Sequence, residues 1–228
     1  MLNNLFQFLS WYLLISVIGL AALPLTFRFL PRLASRGYAF ARVLGLLLWG
    51  FIFWLLASLG ILQNNLGGQI IAFLLLSCIS LWTSLKGGWQ QLREWLKANF
   101  RNVLAMELLF FGFFLFWTLI RGMNPDVAYT EKPMELAFIN SILKSPSFPP
   151  QDPWLSGYAI SYYYFGYVLI AMLTRASGVA SAVAFNLSSA LWFALTALAA
   201  YGVVFDLLSA WRAHRGDVAG TPRFATHR

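Results

Sequence analysis

Charge is the scarcest property of this 228-residue chain, of which 11% is Asp, Glu, Lys or Arg and 60% is apolar, where an ordinary soluble domain carries about a quarter charged residues. That scarcity excludes a chain kept dispersed by water alone. Acids are fewer than bases, 8 against 16, but the bases stand singly between apolar stretches and form no block. Nucleic acid is therefore not the partner that the excess of positive charge points to; a role in membrane topology is. Cysteine occurs once, as Cys78 inside an apolar run, so no intrachain disulfide forms, no metal-ligand spacing arises, and the thiol reads as packing or lipid-facing. The first four residues lack the positive region of a cleaved signal peptide, and the apolar run behind them reads as a retained first span. Neither repeats nor low-complexity segments occur.

What the chain has instead is six apolar segments, at 5–27, 43–62, 70–85, 103–120, 158–174 and 179–208, most of them as long as a bilayer core demands. The predicted fold is all-α: a polytopic helical membrane protein of about six spans. Its division is four N-terminal spans over 1–120, a water-facing loop over 121–157, two spans over 158–208 and a basic tail over 209–228. Segment 70–85 is short enough to leave no room for tilt. Arg28, Arg32, Arg36 and Arg42 follow the first span and Lys86, Arg93, Lys97 and Arg101 follow the third, whereas 63–69 is uncharged. By the positive-inside rule these two loops are cytoplasmic, the N-terminus and loop 121–157 are extracytoplasmic, and the protein is multi-pass in the cell membrane. Trp89 and Trp95 among the second set predict an interfacial amphipathic helix. Six spans would then leave Arg212, Arg215, Arg223 and Arg228 outside, against the rule. Either a span is miscounted or later spans follow in a longer protein, and the second reading is preferred here; 213–228 has no apolar periodicity and is expected to be disordered.

The loop concentrates chemistry. It holds four of the eight acids, Asp126, Glu131, Glu135 and Asp152, and six of the nine prolines, which makes it a rigid wrapping rather than a slack linker. Apolar spacing predicts a short surface helix over 133–143, with Glu131 and Glu135 on one side near its positive end. Asp126, behind Asn124-Pro125, stands at the outer mouth of the fourth span. It could take a proton from an acceptor or hold a divalent cation, Mg or Mn, against a lipid phosphate; as a turn or cap aspartate it would do neither. Asp152-Pro153-Trp154 admits the same two readings. Tyr162, Tyr163 and Tyr164, placed at the head of the fifth span, form either an aromatic belt or, since three in a row point around a helix, a surface on which one ring meets a sugar or a phosphate.

These motifs, Asn124-Pro125-Asp126, Glu131-Lys132-Pro133-Met134-Glu135, Phe148 through Trp154, Gly157 and the tyrosine triplet, resemble the YYY membrane-protein family, a bacterial and archaeal domain of unknown function. More distantly, an acidic residue early in an outer loop, a surface helix and a Pro-Pro element are similar to the first outer loop of C-type glycosyltransferases. That resemblance implies transfer of a sugar from a polyprenyl-phosphate donor at the extracytoplasmic face. Asp126 would be the catalytic carboxylate or metal ligand, with Glu131 a less secure match. Arg121 and Lys132 would stabilise the departing phosphate, and Glu135, Asp152, Trp154 and the three tyrosines would contact substrate. A transporter or flippase is the alternative, with Glu107, Asp206 and Asn186 as its polar groups within spans; a non-enzymatic assembly subunit is the third.

Overall fold

Where side chains are apolar and lipid offers no hydrogen bonds, the backbone must satisfy itself, and an open chain does so as helix. In a computed structural model, which describes residues 2–85 and 87–215, each of the six apolar segments contains a helix. The order is α1 (Leu2–Phe29), a 3-10 turn (Tyr38–Phe40), α2 (Ala41–Ser58), α3 (Leu66–Trp82), α4 (Gly88–Ala98), α5 (Phe100–Met123), α6 (Lys132–Lys144), α7 (Phe165–Ser177) and α8 (Ser181–Arg215). Among the described residues there is no strand, only one antiparallel bridge between Gln151 and Ala159. α1, α2 with its leading turn, α5 and α8 are long and apolar enough to cross a membrane, whereas α3 and α7 are shorter.

The bundle has two ends. At one, here the loop face, the α2–α3 connection meets α6: the Asn64 amide donates to Pro146 O. At the other, the basic face, the chain between α1 and α2 meets α4 and the far part of α8. Asp206 accepts there from the Ser35 amide at 2.7 Å and from its hydroxyl at 2.8 Å. α3 joins the two faces despite its length, because Asn65 caps its start at the loop face by accepting from the Gly68 amide, and Ser80 near its end accepts from the Leu25 amide of α1. That second bond serves the backbone beside Pro24, which has no N–H to give. α1 and α2 approach closely because Gly45 lies under the Ile18 carbonyl, where a Cβ would come within 2.7 Å. The common core is built on Trp11, Ile15, Phe53, Phe110 and Phe114, all buried.

The fifth apolar segment departs from expectation. Its helix starts at Phe165 rather than 158 and runs 13 residues. Tyr162 and Tyr163 precede the helix and Tyr164 is its N-cap, so the triplet does not wind around a helix. The cause is local: Gly157 holds φ 83°, and 158–160 fold back on the proline segment, Asp152 N donating to Tyr158 O and Ile160 N to Pro150 O. Nor does α7 reach the basic face. Its first residue's neighbour, Tyr164, bonds Trp54 near the loop-face end of α2, and Arg175 near its C-terminus bonds Asn64 at the same face. It lies across the loop-face half of the bundle, sunk deep enough that Val168 through Thr174 are all buried.

α8 consequently starts at the loop face, where Asn186 meets Arg121, and ends at the basic one. Asn186 and Asp206 are about 20 residues or roughly 30 Å apart along the helix, one hydrocarbon core. Arg212 and Arg215 in its last turn therefore share a face with Arg28 and Arg32. The conflict over the basic tail comes from counting α7 as a crossing; Arg223 and Arg228 lie outside the described residues, as do Lys86 and 216–228 of the segment expected to be disordered, while Ala213–Arg215 continue α8.

Candidate functional site on the loop face

Loop 121–157 begins on a clamp. Arg121 in the last turn of α5 donates through Nε at 3.0 Å and through Nη2 to Asn186 Oδ1, and Asn186 Nδ2 donates to Pro125 O at 3.1 Å. The clamp fixes the backbone next to Asp126 and leaves the carboxylate itself exposed. Arg121 is thus committed to holding the loop's entry, and Asn186 is a loop fastener rather than a group open to the bundle interior.

A left-handed turn at Tyr129 and Thr130, with φ 66° and 56°, delivers the chain into α6. Glu131 is the N-cap residue, Lys132 and Pro133 open the helix, and Glu135 lies in the first turn, where the helix's positive end favours carboxylates. Across from this turn stands the tyrosine segment. Tyr162 donates to Tyr163 Oη at 2.6 Å, the rings are 4.0 Å apart, and Tyr167 of α7 reaches Glu135 Oε1 at 3.5 Å. The hydrogen bond to Tyr163 is the main cause that pushes the Tyr162 phenol up to about 12, and the nearby Glu131 and Glu135 carboxylates push the same way. Beneath them Phe138 is buried, with Trp154 edge-on at 5.7 Å and Tyr162 and Tyr167 each at 5.6 Å. Trp154 and Tyr163 are exposed, as is Tyr158, whose backbone bonds Asp152 and Leu155 next to Trp154.

The far end of α6 is held by side chains from elsewhere. Asn64 donates to Ile142 O and Ser145 O, both at 2.7 Å, while Arg175 donates to Asn64 Oδ1 and Leu143 O, both at 3.0 Å. Two carbonyls that the helix end leaves unpaired, Ile142 O and Leu143 O, and that of the extended Ser145 behind them are satisfied this way, Leu143 O by a cation at the negative end of the dipole. Ser145 Oγ accepts from Gln151 N, and Ser141 Oγ donates to Gln151 O. An open cleft of about 520 Å³ lies alongside, lined by Gln63, Asn65, Lys144 and Ser147 among others.

The structure therefore brings together Glu131, Glu135, Tyr162, Tyr163 and, through Phe138, Trp154. It leaves others apart. Asp152 Oδ1 accepts from the amides of Trp154 and Leu155 at 2.8 and 2.9 Å, the turn arrangement. Tyr164 stacks on Phe148 and accepts from Trp54 Nε1, which makes it a wedge between α2 and the loop. Asn64 and Arg175 were not singled out by the sequence, though Arg175 is a lone cation at the end of an apolar run; Phe138 belongs to the apolar spacing of the expected helix and Tyr167 to the aromatic run, neither with a site role of its own. Inside the bundle, Glu107 is paired with Arg42 at 2.6 Å and accepts from Tyr38 at 2.7 Å. No three His, Cys, Asp or Glu side chains come together as a metal site among the described residues.

Apolar helices joining two unlike faces, a core of packed aromatics and an ordered loop layer on one face define an integral α-helical membrane protein. The chain belongs to the family described as Uncharacterized membrane protein (DUF2298), whose profile matches residues 48–225, from α2 through the loop and α8. No curated protein and no solved structure matches the chain.

Proposed function

We propose that the loop face binds a lipid-linked sugar and that the chain serves a membrane glycosyltransferase resembling the C-type enzymes. The observation carrying this is the facing of Glu131 and Glu135 by Tyr162 and Tyr163 beside exposed Trp154 and Tyr158. Carboxylates accept hydrogen bonds from sugar hydroxyls, and indole and phenol rings cover the apolar C–H faces of a pyranose. Positive-inside charge supports placing this face outside the cell. In this reading Asp126, whose preceding carbonyl is clamped by Asn186 and whose carboxylate is exposed, acts as general base. It takes the proton of the acceptor hydroxyl as that oxygen bonds the anomeric carbon; the carbon–oxygen bond to the phosphate breaks, and the polyprenyl phosphate leaves with the electron pair. Lys132 is the cation available to the leaving group, since Arg121 is spent on Asn186. A divalent cation at Asp126 would need donors other than a carboxylate cluster, and no step here passes through one.

Transport fits less well. Glu107 and Asp206, the acids within the spans, are bound to Arg42, Tyr38 and Ser35, and Asn186 is engaged at the clamp.

The test is transfer from a radiolabelled polyprenyl-phosphate hexose in proteoliposomes of the full protein. Asp126→Asn should lower the rate by about 10²–10⁴-fold, the size of a general-base contribution, with unchanged helical content. Undiminished transfer would remove Asp126. Absence of transfer together with absence of loop protection from protease by the same lipid would leave the loop a structural cap.

A further inference from the structure

We infer that α4 and the end of α1 form a binding surface for anionic phospholipid headgroups on the basic face. Trp89, Leu92, Trp95 and Leu96 recur three or four apart and make one apolar stripe. Leu92 and Trp95 bury their part of it against Leu23, Phe27 and Ala41, with Phe27 and Trp95 edge to face at 5.9 Å. Trp89, at the stripe's margin, is 50% exposed, and Trp82, Leu85 and Phe100 on either side of α4 are exposed as well. The stripe thus runs off the protein where α3 ends and α5 begins, the depth at which an indole meets headgroups.

Arg93 and Lys97 follow Trp89 around the helix at four-residue steps. Arg101 stands in the first turn of α5 and Arg28 at the end of α1, and all four cations are exposed. The one salt bridge among the described residues is Arg42 with Glu107, so none of the four has a carboxylate. Glu94, the acid of α4, is held by Gln90 at 2.9 Å. Cations seated at headgroup level by a tryptophan lie within a Debye length of lipid phosphates, and each contributes appreciably to attraction toward an anionic leaflet. The geometry favours lipid over a soluble anion because the apolar margin and the cations share one edge.

The test uses the full chain in nanodiscs with mixed phosphatidylglycerol and phosphatidylcholine, extracted and examined by native mass spectrometry. Phosphatidylglycerol should be retained in preference, and the triple change R93Q/K97Q/R101Q should cut that preference by about tenfold or more, while K144Q on the loop face leaves it unchanged. Equal retention of the two lipids by the native chain, or an undiminished preference in the triple variant, overturns the inference. Displacement of the lipid by inorganic phosphate also overturns it, in favour of a free-anion site. Should the triple variant fail to fold, R93K/R101K should keep the preference and salt should weaken it in the native chain; a salt-insensitive preference would be equally fatal.

Discussion

α6 and α4 are both short helices at opposite faces of the bundle, and they are held by different physics. α6 is fastened at its C-terminal end by Asn64 and Arg175 from distant elements and buries Phe138, Ile139 and Ile142. α4 buries only Leu92 and Trp95, and among the described residues no side chain from a distant element donates to its end carbonyls as Asn64 and Arg175 do for α6. Polar fastening fixes position and rotation, because a buried carbonyl left unpaired is expensive. Apolar docking alone fixes a face and leaves the remainder to the membrane. The helix fastened by polar groups stands beside the loop chemistry proposed above, and the one docked by apolar contact carries the proposed lipid surface.

Four measurements put that contrast to the test. Trp95→Ala should have the largest effect, about 3–5 kcal/mol of local stability, seen as rapid amide exchange throughout α4 with α6 unaffected. Asn64→Ala, which leaves two buried carbonyls and one guanidinium contact unmet, should cost about 2–4 kcal/mol and release the end of α6 to exchange and protease while α4 stays protected. Equal loosening of both helices in either variant would deny that they are independently held. Arg175→Met should cost less, about 1–3 kcal/mol, and Arg175→Lys should recover part of it, because one donor group cannot reach both Asn64 Oδ1 and Leu143 O as a guanidinium fork does. The smallest effect is a titration. Tyr162, raised from about 10 to about 12, gains its hydrogen bond as the neutral phenol. That contribution is complete below pH about 10 and is lost as pH rises through about 12. A phenolate difference titration against Tyr162→Phe should show the high value, and Tyr163→Phe should return it toward 10; an unchanged value would break the assigned pairing.

Some of this was readable in one dimension. α1, α5 and α8 follow from apolar length, α4 from tryptophans spaced among cations, and α6 from Pro133 ahead of residues at helical spacing. The placement of Glu131 and Glu135 on one side needs only a helical period. The tyrosine triplet misled because residues 158–174 are as apolar as a span, and composition does not record that Gly157 turns the chain or that Arg175 is tethered to Asn64. Asp152 could be read as turn or ligand, and its Oδ1 accepts from the amides of Trp154 and Leu155, a turn geometry that the sequence order alone does not display.

The amino-acid order alone makes this chain helical, puts it in a membrane and gathers half its acids and most of its prolines into one loop, since hydropathy and period act locally and do not wait for a partner. Which apolar segments cross, which face receives the end of α8, and which loop side chains meet were decided by contacts between residues far apart, Arg121 with Asn186, Asn64 with Arg175, Ser35 with Asp206. A buried polar group takes whichever partner the packed bundle presents, and that partner's position exists only once the helices are assembled.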